Sequence, residues 1–176
     1  ETVKAMCDGV PEIAWALTTP LGRIERRRIW EPGSYSWAIS KWGIETEQDL
    51  AILGQALASR RFTPHWDRYR AWQTAVGDLG TVYISAGYSA MGQLLNYWMG
   101  VTNTMYATVD MPEALHAFVD RVNANILDCI DMLAASPVEI VLLGDNFSGD
   151  LQPPSFFNEW SRPFYAEAIR RLHTAG

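Results

Sequence analysis

The sequence has few of the residues on which metal-binding and disulfide-rich domains depend. Only two of its 176 residues are cysteine, Cys7 and Cys129, and neither belongs to a Cys-x-x-Cys or His-x-Cys pattern. This spacing argues against a metal site in the chain and fits a reducing cytoplasm better than secretion. We interpret Cys129 as a buried, small apolar residue on the inner face of a helix.

Basic residues are also scarce. The chain carries 14 Lys and Arg against 20 Asp and Glu, a formal net charge of -6. Because a nucleic-acid surface needs clustered Lys and Arg, we expect no nucleic-acid partner. The one basic cluster, Arg26-Arg27-Arg28, falls inside a strand-like run, and we interpret it as a solvated edge rather than a phosphate site.

Long apolar runs are absent as well. No stretch approaches the ~18 apolar residues that a membrane span needs, and there is no signal peptide. We therefore expect a cytoplasmic protein without a membrane partner. The chain begins at Glu1 in what reads as a helix and ends, at 172–176, in a helix tail with a terminal glycine. Since a βα architecture would continue with a strand, the sequence predicts an internal fragment of a longer protein.

Two short apolar runs, at 82–86 and 138–143, are typical of buried strands. Each ends in a small, polar, glycine-bearing loop, at 87–90 and 144–150, and a helix follows each loop. This repetition predicts parallel strands in βα units across 81–176. Ligands bind at the carboxyl ends of such strands, so the two loops form the candidate site.

The candidate residues of this site are few. We take Asp145 as the candidate catalytic group, because a carboxylate there could hold N–H groups or a proton in transit. Asn146 and Ser148 flank it and suit a ligand with several donors, and Tyr88 follows the first strand. The alternative that Asp145, Asn146 and Ser148 only form a turn stays open. No nucleophile–base pair, P-loop, dinucleotide fingerprint or zinc motif is present.

The rest of the chain supports this site. Residues 12–42 read as an antiparallel β-meander whose tryptophans pack on the main body. Residues 46–77 read as helices, the first opening with a Thr46–Asp49 capping box and the second with Thr63 as N-cap and Pro64 at the first position. We expect His65 and His116, each in a first helical turn, to be surface residues.

Two further helices are predicted near the second strand. Asp110 opens a long amphipathic helix as a capping box, and Pro137 ends it. The final helix is predicted to be split, with Ser155 capping a short piece and Pro163 restarting the chain. The apolar faces of the two helices consist of Leu115, Phe118, Val119, Val122, Ile126, Cys129, Ile130 and Leu133, and of Phe164, Ala168, Ile169 and Leu172.

Four pieces of the chain resemble the uroporphyrinogen decarboxylase superfamily. They are Thr19-Pro20-Leu21-Gly22; Tyr83-Ile84-Ser85-Ala86-Gly87 through Tyr97-Trp98-Met99-Gly100; Asp110-Met111-Pro112-Glu113; and Leu143-Gly144-Asp145-Asn146-Phe147-Ser148-Gly149 through Pro154-Ser155-Phe156-Phe157 and Arg162-Pro163-Phe164-Tyr165 to His173-Thr174-Ala175-Gly176. The last piece is the most specific, and together they span nearly the whole chain.

The resemblance implies an α/β fold, a partial (β/α)₈ TIM barrel preceded by the antiparallel meander. It also implies cofactor-independent decarboxylation of the acetate side chains of a tetrapyrrole substrate. Tyr97 matches a tyrosine that contacts substrate in the decarboxylases, and Asn146 falls where a small polar residue does so. The resemblance leaves open assembly as a homodimer.

The chain also departs from the decarboxylases. Their arginine-bearing first-strand motif and the catalytic aspartate after their second strand are not found here. The Thr-Pro-Leu-Gly turn and the Gly-Asp-Asn loop look more like a divergent branch that includes corrinoid-dependent methyltransferases, which hold zinc on a strand beyond His173-Thr174-Ala175-Gly176. Methyl transfer from a corrinoid or other methyl donor is therefore the second hypothesis, with zinc outside this chain and no cofactor within it. A non-catalytic binding module on a barrel scaffold is the third.

Overall fold

A computed structural model describes residues 1–175, so the predicted helix-terminating Gly176 lies outside the described residues. No helix in this part of the chain is both long and apolar enough to cross a membrane.

The N-terminal part is a four-stranded antiparallel sheet with the strands in chain order. Its strands are β1 (Thr2–Cys7), β2 (Val10–Thr19), β3 (Gly22–Glu31) and β4 (Ser36–Lys41). The predicted meander is confirmed, but the expectation of a helix at the N-terminus is wrong. Asp8 and Gly9 both have positive φ, at 49° and 81°, which is the backbone of a tight hairpin turn and lets β1 pair with β2.

Two helices follow, α1 (Glu47–Ala58) and α2 (Trp66–Val76). The capping box of α1 is confirmed, since the Thr46 side chain accepts from the Asp49 backbone and Asp49 accepts from the Thr46 backbone. The start predicted for α2 is wrong by two residues. Its N-cap is His65, which makes no side-chain cap, and Thr63 and Pro64 precede the helix.

Two βα units occupy the remainder. They comprise β5 (Ile84–Gly87), α3 (Ala90–Gln93), a π-helical segment (Leu94–Trp98), α4 (Val101–Asp110), α5 (Pro112–Ala134), β6 (Val141–Leu143), α6 (Pro154–Phe156), a second π-helical segment (Phe157–Ser161) and α7 (Arg162–Ala175). β5 and β6 pair in parallel, as predicted. The chain is therefore a mixed α/β fold with an antiparallel sheet, and a full barrel is not shown.

The long helix α5 is confirmed, but its predicted capping box is not. Asp110 ends α4, and the N-cap of α5 is Met111, which makes no side-chain cap, followed by Pro112 at the first position. Proline suits that position because the N–H it lacks would have no helical partner. The predicted apolar face of α5 is buried in full.

The final helix is continuous rather than split. Pro163 lacks an N–H and its ring crowds the preceding turn, which would break an ordinary helix. The π-helical segment takes up this misfit, with the Arg162 N–H donating to the Phe157 carbonyl five residues back. The N-cap is Pro153 rather than Ser155. Phe164 and Ala168 are buried as predicted, whereas Ile169 is 45% exposed.

The core lies where α1, α3, α4, α5 and α7 meet the inner faces of the two sheets. The core face of the parallel pair carries Ile84, Val141 and Leu143, while Ser85 and Leu142 lie on the opposite, exposed face. This arrangement directs the carboxyl ends of β5 and β6 to one edge of the molecule.

Candidate functional site

The carboxyl ends of β5 and β6 meet directly. The Gly144 N–H donates to the Gly87 carbonyl at 2.8 Å, so the residues that follow, Tyr88 and Asp145, begin side by side. The sequence-based expectation that the two loops share one edge of the sheet holds in the structure.

Asp145 is held at the N-terminus of α3. The Ser89 N–H donates to its Oδ1 at 2.9 Å, and the Ser89 hydroxyl donates to its Oδ2. Ser89 also caps α3, because its Oγ accepts from the Gly92 N–H at 3.1 Å. The carboxylate thus ties the second βα unit to the first helix of the first unit, where the helix dipole favours negative charge.

Gly92 makes this approach of the carboxylate possible. A Cβ at Gly92 would lie 2.6 Å from the Asp145 Cγ and closer still to Oδ1. Any larger residue would therefore displace the carboxylate from Ser89. Neither Ser89 nor Gly92 was predicted as a site residue, although both stand in the polar loop and helix start that follow the first buried strand.

Two predicted tyrosines lie against each other beside Asp145. The rings of Tyr88 and Tyr97 are 5.1 Å apart between centroids and nearly perpendicular. The Tyr97 phenol raises the pKa of Tyr88, and partial burial and the Asp145 charge add to the effect. Tyr88 therefore stays protonated well into alkaline conditions and can donate a hydrogen bond.

Tyr165 is a third tyrosine of the site, and it was not predicted as a site residue from the sequence. Its hydroxyl is buried and has no hydrogen-bond partner at bonding geometry among the described residues. Burial raises the pKa of Tyr165 far above its ordinary value, and the nearby Asp145 charge raises it further. Its position in the motif Arg162-Pro163-Phe164-Tyr165 was the available signal.

The other two predicted residues lie at the rim. Asn146 is exposed, and its amide nitrogen donates to the Asn96 side chain at 3.3 Å. Ser148 is also exposed, and its hydroxyl accepts from the Leu151 N–H at 3.2 Å. The structure thus places Ser148 in a turn of its own loop, while its predicted contact with substrate stays a prediction, as does that of Asn146.

We call Asp145, Ser89, Tyr88, Tyr97 and Tyr165 the Asp145 cluster. An apolar depression of about 620 Å³ lies next to this cluster and shares Tyr165 with it. Phe147, Phe157 and Tyr165 form its aromatic wall, with Phe147 at 5.4 Å from Phe157 and 5.0 Å from Tyr165 between ring centroids. Its described lining includes no Lys, Arg, Asp or Glu. A second apolar cavity of about 480 Å³ lies beside α2, away from the loops after β5 and β6, and no carboxylate lines it.

One arginine reaches the site, which corrects the interpretation of the basic cluster as a solvated edge. Arg26 is half-buried, and its guanidinium donates to the Tyr97 carbonyl at 2.9 Å. It also stacks on the rings of Trp15, Tyr97 and Trp98, at 4.6, 5.1 and 4.9 Å to the centroids. Burial lowers the pKa of Arg26, and the Arg28 charge lowers it further.

Residues capable of binding metal are scattered. Nowhere between residues 1 and 175 do three or more His, Cys, Asp or Glu side chains come together in a way that could hold a metal ion. His65 is exposed, as expected, and His116 is exposed but stacks on Trp160 with ring centroids 4.1 Å apart.

Comparison with known proteins agrees with the motifs. The family model described as uroporphyrinogen decarboxylase (URO-D) matches residues 55–176, which is well over half of the chain. No curated protein and no solved structure matches the chain. The match covers both parallel strands, the Asp145 cluster and the long helix α5, but not the antiparallel sheet. The chain belongs to the uroporphyrinogen decarboxylase (URO-D) family.

Proposed function

We propose that this chain forms part of the substrate cleft of a carboxy-lyase and that the cleft lies at the carboxyl ends of β5 and β6. The proposed reaction is the decarboxylation of acetate side chains on a tetrapyrrole, without a cofactor. The observation that carries the proposal is the Asp145 carboxylate, fixed by Ser89 beside Tyr88 and Tyr97.

The reaction needs acceptors for pyrrole N–H groups and a source of protons. Loss of CO₂ from the side chain leaves a methylene carbon that takes up one proton and becomes a methyl group. A carboxylate has about four acceptor positions, and Ser89 uses two of those of Asp145, so the others remain for substrate. The protonated Tyr88 phenol can donate to a substrate carboxylate, and Tyr97, Asn146 and Ser148 complete the proposed contacts.

One observation favours methyl transfer as a second candidate. A tetrapyrrole with several carboxylates calls for cationic side chains, yet the described lining of the aromatic depression has none. The nearby Arg26 already donates to the Tyr97 carbonyl. An uncharged methyl donor suits such a surface better. The described residues do not form a zinc site, so we assign no step of that reaction to this chain.

The test is an anaerobic assay with reduced uroporphyrinogen, using the longest protein that the gene encodes. Products with fewer carboxylates are separated after oxidation. We expect Asp145→Asn to lower kcat/KM by about 10²- to 10⁴-fold, the range of a lost acid–base group. Asp150→Asn, which changes an exposed carboxylate of the same loop, should leave the rate unchanged and serves as the control.

Each outcome separates the candidates. Turnover lost in Asp145→Asn and kept in Asp150→Asn supports decarboxylation at this cleft. Methyl transfer without decarboxylation would support the second candidate. Tight tetrapyrrole binding without any turnover would identify a binding module on the barrel scaffold. Turnover by the isolated 176-residue chain would show that the chain is not a fragment of the active unit.

A further inference from the structure

The antiparallel sheet lies outside the matched family region, yet it contacts the cleft through two backbone carbonyls. Tyr97 and Trp98 are the last residues of the first π-helical segment. The Tyr97 carbonyl accepts from Arg26 of β3. The Trp98 carbonyl accepts from the Gly43 and Ile44 N–H groups, at 2.8 and 3.1 Å. The segment that carries Tyr97 is thus bonded to the sheet and to the chain that leaves it.

Two glycine–tryptophan contacts join the chain that leaves the antiparallel sheet to the first π-helical segment and the residues after it. A Cβ at Gly43 would lie 2.8 Å from the Trp98 ring, and a Cβ at Gly100 would lie 2.6 Å from the Trp42 ring. Each glycine therefore lets a tryptophan ring approach the backbone more closely than a side chain at that position would allow. Because packed interiors yield little, we expect a shift of the sheet to reach the segment that carries Tyr97.

Arg26 of β3 contacts Tyr97 itself. It bonds the Tyr97 carbonyl and stacks on the Tyr97 ring, so it fixes both the backbone and the side chain. Trp15 and Trp98 contact the guanidinium as well, which restricts its movement. One nitrogen of the planar Arg26 guanidinium bonds the Tyr97 carbonyl, while its Nε has no hydrogen-bond partner among the described residues. The orientation of the guanidinium is therefore set by this single bond and by the three rings around it.

We propose that Arg26 is a positioning residue that holds Tyr97 against Tyr88 in the cleft. This inference rests on the proposed function, in which both tyrosines contact substrate. It assigns to the sheet before residue 55 a role in shaping a cleft whose other residues lie within the matched family region.

The alternative is that Arg26 only stabilises the sheet, and Arg28 provides a matched control for it. Arg28 lies two residues further along the same strand and stacks on Trp15 and Trp37, at 4.6 and 4.9 Å. Among the described contacts, Arg28 makes no hydrogen bond to the segment that carries Tyr97. Loss of either arginine removes a contact with the Trp15 ring, but only loss of Arg26 also removes the hydrogen bond to the Tyr97 carbonyl and the contact with the Tyr97 ring.

The experiment is an NMR measurement on the full chain with ¹³C-labelled tyrosine. The seven tyrosines are resolved by their ring signals, and Tyr88→Phe and Tyr97→Phe assign the two of interest. In the unchanged chain, rings 5.1 Å apart should give a Tyr88–Tyr97 cross-peak. We expect Arg26→Met to abolish it, and Arg28→Met to keep it. Arg26→Lys, which retains a charged donor, should restore at least part of it.

A second readout follows the pKa of Tyr88, which Tyr97 raises above its ordinary value. In Arg26→Met it should fall toward that value, and in Arg28→Met it should stay raised. A cross-peak kept in Arg26→Met, or lost equally in both variants, would overturn the proposal. If Arg26→Met fails to fold, the milder Arg26→Gln replaces it. Failure of both to fold would assign Arg26 to stability alone.

These readouts need no substrate, so they separate this inference from the proposed function. If the proposed activity is established, Arg26→Met should also raise KM relative to Arg28→Met. A lost cross-peak in a protein without decarboxylase activity would uphold the positioning role and refute only the reaction.

Discussion

Gly92 offers the sharpest test of how Asp145 is held. All three atoms nearest to a Cβ at Gly92 belong to the Asp145 carboxyl group, with Cγ at 2.6 Å and Oδ2 at 2.9 Å. Gly92→Ala must therefore push the carboxylate away from Ser89. Alanine is otherwise the better helix residue, by up to about 1 kcal/mol. Whether Gly92→Ala stabilises or destabilises the chain therefore depends on the Asp145 carboxylate alone.

The magnitude follows from these opposing contributions. Overpacking of this kind typically costs about 1–3 kcal/mol, and each charge-assisted hydrogen bond that weakens contributes within a similar range. After the helix gain, we expect Gly92→Ala to lower the free energy of unfolding by about 1–3 kcal/mol. For a chain of this size that corresponds to a fall in Tm of roughly 2–4 °C per kcal/mol.

A double-mutant cycle isolates the contact. Asp145→Ala removes all three crowding atoms, so Gly92→Ala in that background should be neutral or stabilising by up to about 1 kcal/mol. Urea unfolding followed by tryptophan fluorescence measures all four proteins, since the chain contains 8 Trp. Gly54→Ala is the control, because its Cβ would lie 3.4 Å from the Phe118 ring, close to ordinary contact.

The cycle can refute the reasoning in a simple way. If Gly92→Ala destabilises the chain equally with and without the Asp145 carboxylate, the carboxylate does not lie over α3. The Ser89 bonds would then be wrong, and so would the site built on them.

Three further predictions concern other parts of the chain. Gly100→Ala should destabilise by about 1–3 kcal/mol in urea unfolding, because φ is +79° and the Trp42 ring occupies the Cβ position; an unchanged midpoint would contradict the contact. Tyr165→Phe should leave the free energy of unfolding within ~1 kcal/mol, since the hydroxyl has no hydrogen-bond partner among residues 1–175; a larger loss would reveal a partner. Arg170 and Arg171 lower the pKa of Glu167 from its ordinary 4.5 to about 2. The contribution of Glu167 to the free energy of unfolding is therefore complete above pH 4.5 and is lost as the pH falls toward 2. In unfolding measured against pH, Glu167→Gln should reduce the loss of stability over this range. An equal dependence on pH in the variant and the unchanged chain would refute the prediction.

Local patterns in the sequence predicted most of the elements. The meander, the capping box at Thr46 and the buried face of α5 depend on residues close in sequence, and each was confirmed. The parallel pairing of β5 and β6 followed from the repeated strand–loop–helix order. The helix expected at Glu1 was wrong because β1 is a strand only through its pairing with β2.

The contacts between distant residues could not be predicted in this way. Asp145 was identified as a strand-end carboxylate, but its bond to Ser89 joins residues 56 positions apart. Arg26 was interpreted as part of a solvated edge, because the cluster of three arginines falls inside a strand-like run. In a strand, however, alternate residues face opposite sides, so Arg26 and Arg28 turn inward against tryptophans while Arg27 pairs with Glu25 outside.

The two π-helical segments explain how two aromatic residues of the cleft, Tyr97 and Phe157, reach it from helices, whereas Tyr88 and Phe147 lie in the loops after β5 and β6. Each inserts one extra residue per turn, which rotates the following side chains relative to an ordinary helix. Leu94–Trp98 presents Tyr97 to Tyr88, and Phe157–Ser161 presents Phe157 to the depression and turns the helix before Tyr165. The first insertion has no sequence pattern of its own, whereas the second has a cause that the sequence contains. In the second segment the cause is Pro163, which cannot continue an ordinary helical ladder. In the first, the Met99 and Gly100 N–H groups both donate to Leu94, and Gly100 reaches this position at a φ of +79°. A substitution that restores an ordinary α-helix at either segment would therefore move Tyr97 or Phe157, although the aromatic residue itself is unchanged.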